Sequence, residues 1–171
     1  MDINTIYENL CQIPSDINEH LPTLKKYASE CNNVVELGTR DGVSTIGLLA
    51  GLPKELLSLD IVFPQSNYMK EMYSMAKKEG IYYWFKLGNS LEIELPETEL
   101  LFIDTIHTYN QLSQELKRHG GKVKKFIILH DTTSCKEELQ PAINEFLEQN
   151  KQWSIHEVFE NNNGLLILKH E

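Results

Sequence analysis

Cysteine is scarce in this chain. Its three thiols, Cys11, Cys31 and Cys135, are odd in number and far apart. That excludes a disulfide framework and a zinc-ligand spacing, and it favours a reducing compartment. Positive charge is also short, with 16 Lys and Arg against 25 Asp and Glu and a formal net charge of −9. A surface built for a phosphate backbone needs clustered cations, and the densest basic stretch, residues 117–125, reads as a solvated helix end and loop. No run approaches the roughly 18 apolar residues of a membrane span. The start, Met1-Asp2-Ile3-Asn4, lacks the basic residues and apolar core of a secretory leader. The expectation is a cytoplasmic protein with neither a nucleic-acid nor a membrane partner. Low-complexity tracts are missing too, and 41% hydrophobic with 24% charged residues is ordinary globular usage. Residues 1–171 are therefore expected to form a single domain.

What is present is an alternation of two hydrophobic periods. Ile3, Ile6, Tyr7 and Leu10 recur at helical spacing ahead of Pro14, and residues 15–20 read as a polar loop. Pro22 suits the first turn of a second helix with Leu21, Leu24, Tyr27, Ala28 and Cys31 as its buried stripe, so residues 1–31 form capping helices. A strand over 34–38 stops at Gly38 and a helix follows over 44–52. A second strand over 56–62 leads to a helix whose stripe is Tyr68, Met69, Met72, Met75 and Ala76, ended by Gly80. These methionines read as core filling. Strands over 81–87 and 100–103, a helix over 109–119 and a strand over 126–129 continue the pattern. Pro141 places the start of the next helix near Gln140. Two strands, 153–159 and 165–168, then flank an Asn-Gly loop with hairpin chemistry. The fold class predicted is α/β: a Rossmann-like, doubly wound, mostly parallel sheet with helices on both faces and a C-terminal antiparallel hairpin.

In open α/β sheets, ligands lie beyond the carboxyl ends of the strands at the topological switch point. The loop after the first strand runs Glu36-Leu37-Gly38-Thr39-Arg40-Asp41-Gly42-Val43-Ser44. Gly38 permits a sharp turn and close backbone approach to a ligand, and Gly42 permits close helix packing. A dinucleotide site wants glycine where Arg40 stands, and the lysine pair of a P-loop is missing, which weighs against both nucleotide classes. Asp60 ends the second strand about 20 residues on, where an acid can accept hydrogen bonds from ribose hydroxyls.

With these residues in place the sequence resembles the class I S-adenosylmethionine-dependent methyltransferases. The run VVELGTRDGVST is similar to their first motif and Asp60 to their ribose acid. Gly88-Asn89-Ser90 is similar to their adenine loop, with Asn89 where Asp is usual. The hairpin is similar to strands six and seven of their seven-stranded sheet. The resemblance spans about residues 31–171. It implies S-adenosylmethionine held by Glu36, Gly38, Thr39, Arg40, Gly42, Ser44, Asp60, Asn89, Ser90 and Asp104. It also implies methyl transfer to a small-molecule acceptor, a hydroxyl by preference.

A narrower resemblance comes from residues 101–109 and 128–132. They are similar to the D-x-x-H-x-Y and H-D segments of a bacterial group related to cephalosporin hydroxylase-like proteins and macrolide-sugar O-methyltransferases. Catechol-type enzymes bind a divalent metal with an acid after the fourth strand and two residues after the fifth. By that resemblance the metal ligands here are Asp104, His130 and Asp131. His130 replaces a carboxylate or amide, which shifts preference from magnesium toward a metal more tolerant of imidazole. His107 falls where catechol enzymes carry a catalytic lysine and is the candidate general base, with Asp104 its carboxylate neighbour. His20, His119, His156 and His170 read as surface residues. Two other readings stay open: a metal-dependent hydrolase or oxygenase on the same fold, and a non-catalytic nucleoside-binding module. A neighbouring copy is a candidate to close the pocket of so compact a chain, which would make it a homodimer.

Overall fold

The computed structural model of the chain describes residues 2–64 and 69–171. Tyr68, expected on a helical stripe, lies outside them, as does the side chain of Met69. Helix α1 (Ile3–Gln12) is capped by Asp2, whose side chain accepts from the Thr5 N–H. A single 3-10 turn over Asn18–His20 leads into α2 (Leu21–Ser29), with Pro22 in its first turn. Then come β1 (Asn33–Leu37), α3 (Val43–Leu49), β2 (Glu55–Asp60), α4 (Met69–Lys78), β3 (Tyr82–Leu87), β4 (Thr98–Ile103) and α5 (Tyr109–His119). The chain finishes with β5 (Val123–His130), α6 (Lys136–Gln149), β6 (Trp153–Phe159) and β7 (Leu165–His170).

The seven strands pair in the order β3-β2-β1-β4-β5-β7-β6. Strands β1 to β5 run parallel, and β7 lies antiparallel to both β5 and β6. This is the doubly wound sheet with a terminal hairpin that the alternation predicts. Both faces are covered, so the central strands read as nearly continuous apolar runs, and strand periodicity sorts each run between two cores. Val34, Leu56, Leu100, Phe102 and Ile128 pack with α1 to α4, whereas Val35, Leu57, Leu101, Ile127 and Leu168 pack with α5 and α6.

Two local expectations are corrected. Helix α6 begins at Lys136, a turn before the position Pro141 suggests. Proline removes only the N–H that would reach Glu137, and Glu137 is exposed, so water can satisfy the freed carbonyl. His20 and His119 are buried rather than on the surface. His20 Nε2 lies 2.9 Å from the Asn161 carbonyl and His119 Nε2 lies 2.7 Å from that of Ser90. Those partners are distant in sequence, so local pattern cannot reveal them. His156 is exposed and His170 half-buried. The basic stretch at 117–125 is paired with acids at the start of β4 and before it. Arg118 and Lys122 meet Glu94, Lys124 meets Glu97, and Lys125 meets Glu99. No described helix is long and apolar enough to cross a membrane.

Candidate active site

The strand order reverses direction between β1 and β4, so the loops leaving these neighbours diverge and open a crevice. Gly38 sits at its base with φ +88°, and a Cβ there would run into the Asp104 carbonyl. Glycine is thus required for conformation and space together. Gly42 has φ +81°, so its first demand is the left-handed backbone that precedes α3. Asp60 ties the loop down: its Oδ2 accepts from Thr39 N at 2.8 Å and Arg40 N at 2.9 Å, and its Oδ1 from Val62 N at 3.1 Å. A carboxylate has about four acceptor directions, so capacity for a ligand hydroxyl remains.

Glu36, expected to touch the ligand, is seated beneath the loop instead. Strand alternation turns it toward α3, where it is fully buried. The hydroxyls of Ser44, Thr45 and Ser58 donate to it at 2.5, 2.7 and 2.5 Å. Burial pushes its carboxyl up to about 7 despite those three donors. Ser44 borders the crevice, yet its hydroxyl is committed to Glu36.

The crevice has two parts. A cleft of about 310 Å³ lies between Asp60 and Gly88, Asn89, Ser90, Thr105 and Gln111. A recess of about 130 Å³ beside it is bordered by Asp16, Thr39, Arg40, Ser44, Asp104 and His107. Behind the cleft, Glu115 is fully buried. It accepts from Ser90 Oγ at 2.6 Å, Gln111 Nε2 at 2.9 Å and Thr105 Oγ1 at 2.9 Å. Burial raises its pKa against those bonds. Sequence reading passed over this residue, although an acid beside Leu112 and Leu116 on the buried stripe of α5 was the available signal. Over the recess, the Arg40 guanidinium grips Asp16 with two bonds of 2.6 and 2.9 Å. Asp16 was also missed, because its partner is 24 residues away.

Strands β4 and β5 deliver the charged cluster. His107 Nε2 lies 3.2 Å from Asp104 Oδ1 and 3.0 Å from Asp131 Oδ2, and bonds to Asp104 and Asp131 push its pKa up to about 10. His130 Nδ1 lies 3.0 Å from Asp131 Oδ2 and 3.4 Å from Asp104 Oδ2. Burial opposes charge on His130, but the two acids outweigh it and push its pKa up to about 10. Both acids are held below the usual carboxylate range, as the histidines overcome burial. Asp131 has φ +57°, an uncommon left-handed conformation for a non-glycine residue. Its Oδ1 accepts from Ser134 Oγ at 2.8 Å.

A divalent ion suits this donor set. Ligand atoms of Asp104, His130 and Asp131 lie within 4.8 Å of one another. His130 Nδ1 is buried and, close as the acids are, aligned with neither for a hydrogen bond. Its other nitrogen, Nε2, sits 3.2 Å from the Asn162 carbonyl, which fixes the ring and points Nδ1 at the acids. Two imidazolium protons balance two carboxylates here, and a divalent ion could replace them with no change in net charge.

No protein-family model matches the chain, and no curated protein is similar to it in sequence. Solved structures are. An O-methyltransferase from Bacillus cereus, in complex with SAH, is 14% identical with a TM-score of 0.66 and coverage of 99% of this chain and 89% of that one. A Staphylococcus aureus protein provisionally assigned as a caffeoyl-CoA O-methyltransferase is 16% identical with a TM-score of 0.67, covering 100% and 93%. A ribosomal protein L11 methylase from Lactobacillus delbrueckii subsp. bulgaricus is 16% identical with a TM-score of 0.60, covering 89% and 79%. The fold is that of the class I methyltransferases. Within the class I fold, the glycine loop, Asp60 and the Gly88–Ser90 segment converge on one crevice, and Asp104 stands where that crevice meets the histidine cluster. Of the cofactor residues expected from sequence, Glu36 and Gly42 are buried and border neither part of the crevice.

Proposed function

We propose that this protein transfers a methyl group from S-adenosylmethionine to a hydroxyl of a small molecule, assisted by a divalent metal. The observation that carries this reading is the position of Asp104, which borders both the crevice of the glycine loop and the two-histidine, two-aspartate cluster. When bound, S-adenosylmethionine supplies a methyl on a sulfonium, so the protein's task is chiefly alignment. Asp60, Asn89 and Ser90 border the nucleoside end, Gly38 and Thr39 form the floor, and Gly42 behind them sets the start of α3. Arg40 and Asp16 carry opposite charges beside the recess and suit the carboxylate and ammonium of the amino-acid end. Glu115 acts through Ser90, Thr105 and Gln111, holding their polar groups in one arrangement.

Asp104, His130 and Asp131 would hold the metal, which supplies Lewis acidity toward an acceptor hydroxyl. His107 is the general base at its Nε2. It accepts a proton when the two carboxylates have another positive partner, because in their grip it already carries one. The Bacillus cereus neighbour, a complex with SAH, supports the cofactor assignment. Calorimetry with S-adenosylhomocysteine tests it, followed by transfer of labelled methyl to a panel of hydroxylated small molecules with magnesium or manganese. Binding and metal-stimulated transfer are expected, and a flat titration with S-adenosylhomocysteine overturns the reading.

A further inference from the structure

The cluster at the end of β5 continues into a second set of donors. Cys135 stands at the start of α6, and its N–H bonds the Asp131 carbonyl at 2.9 Å. That single turn brings its thiol back beside Asp131. Ligand atoms of His107, Asp131 and Cys135 lie within 4.8 Å of one another. Zinc bonds of roughly 2.0–2.3 Å place tetrahedral ligands about 3.5 Å apart, so small side-chain adjustments suffice. His107 and Cys135 face an open bowl bordered also by Thr133, Ser134 and Lys136, with Asp131 beside them. The His107 side chain is 38% exposed, so an ion can enter from solvent.

We propose that His107, Asp131 and Cys135 form a second cation site that takes zinc and switches the enzyme off. The donors are one nitrogen, one oxygen and one sulfur. A thiolate is a poor ligand for magnesium or calcium and a good one for zinc, so the two sites sort metals by softness. On binding, the Cys135 S–H bond and one N–H bond of the His107 imidazolium break, both protons pass to solvent, and the freed sulfur and nitrogen pairs form the bonds to zinc. Three protein ligands leave a fourth position to water. Asp131 belongs to both sites, and His107 loses the lone pair with which it would accept a proton. The site stands on its own geometry, whereas the inhibition clause rests on the proposed role of His107.

Cobalt(II) is the optical probe, since thiolate-bound cobalt gives a near-ultraviolet charge-transfer band that spectroscopically silent zinc displaces. The wild-type chain is expected to show the band, Asp104→Ala to keep it and Cys135→Ser to lose it. Serine is a favourable residue at a helix start, so the variant should fold. Loss of an orienting neighbour alone costs about 10–100-fold in metal affinity, so removing this direct ligand should weaken zinc binding by at least about tenfold. Cys135→Ser should keep the uninhibited transfer rate and need about tenfold more zinc for half-inhibition. A band that persists in Cys135→Ser, arising from Cys11 or Cys31, overturns the site. Equal zinc sensitivity of variant and wild type overturns the inhibition. Should no methyl transfer be found, the cobalt band still decides the site, and only the proposed function fails.

Discussion

The two sides of the crevice are built differently. On the β1–β2 side the working groups are main-chain: Gly38 turns the chain, and the N–H groups of Thr39 and Arg40 are pinned by Asp60. On the β4–β5 side they are side chains, Asp104, His107, His130 and Asp131, arranged by mutual charge. A backbone site is sensitive to shape and indifferent to most side-chain identities. A side-chain site is sensitive to charge and tolerant of small changes in shape.

Substitution on each side should separate the two. Asp131→Asn keeps a residue type that accepts φ +57° and removes the charge. Methyl transfer should fall about 1,000-fold with S-adenosylhomocysteine affinity little changed, and a parallel loss of both in calorimetry would erase the distinction. Gly38→Ala forces a Cβ onto the Asp104 carbonyl. It should cost about 3–4 kcal/mol in urea unfolding and abolish cofactor binding, whereas a variant of wild-type stability would mean that the loop yields.

Glu36 supports the backbone side from below, and its pKa, raised from 4.5 to about 7, gives that side a pH signature. The folded state holds the proton more tightly than the unfolded chain, so this contribution is complete below pH 4.5 and fades as pH rises to about 7. It amounts to roughly 3 kcal/mol. The stability difference between wild type and Glu36→Gln should slope across that window and level off above it, as urea titrations at several pH values would reveal. The smallest effect concerns Arg40, whose pair with Asp16 is largely exposed. Arg40→Gln should weaken S-adenosylhomocysteine about three- to fivefold and leave 5′-methylthioadenosine, which lacks the amino-acid end, unaffected. Equal weakening of both ligands would move Arg40 away from that end.

The same contrast governs what the sequence discloses. Alternating periods and turn glycines are local signals, so the strand and helix order and the class I fold were legible, as were Gly38, Asp60 and the acids that close β4 and β5. Glu36 was assigned to the ligand because motif spacing ignores which face of a strand a residue occupies. Asp16 and the buried state of His20 and His119 depend on partners far along the chain, and no window of sequence contains them, whereas Glu115 carried a local signal in its place on the buried stripe of α5. Pro141 misled about α6 because a proline one turn inside a helix loses a single bond that water can replace.

The loop between β6 and β7 ties the segment between α1 and α2 to the end of β5. Asn162 reaches Ser15 through its Nδ2 and Glu19 through its Oδ1, its carbonyl steadies His130, and the Asn163 carbonyl receives Thr133 and Ser134. During synthesis, His130 and Asp131 emerge some thirty residues before the segment that orients them. The arrangement of His130 and Asp131 is therefore completed only once the hairpin loop has folded back onto the end of β5.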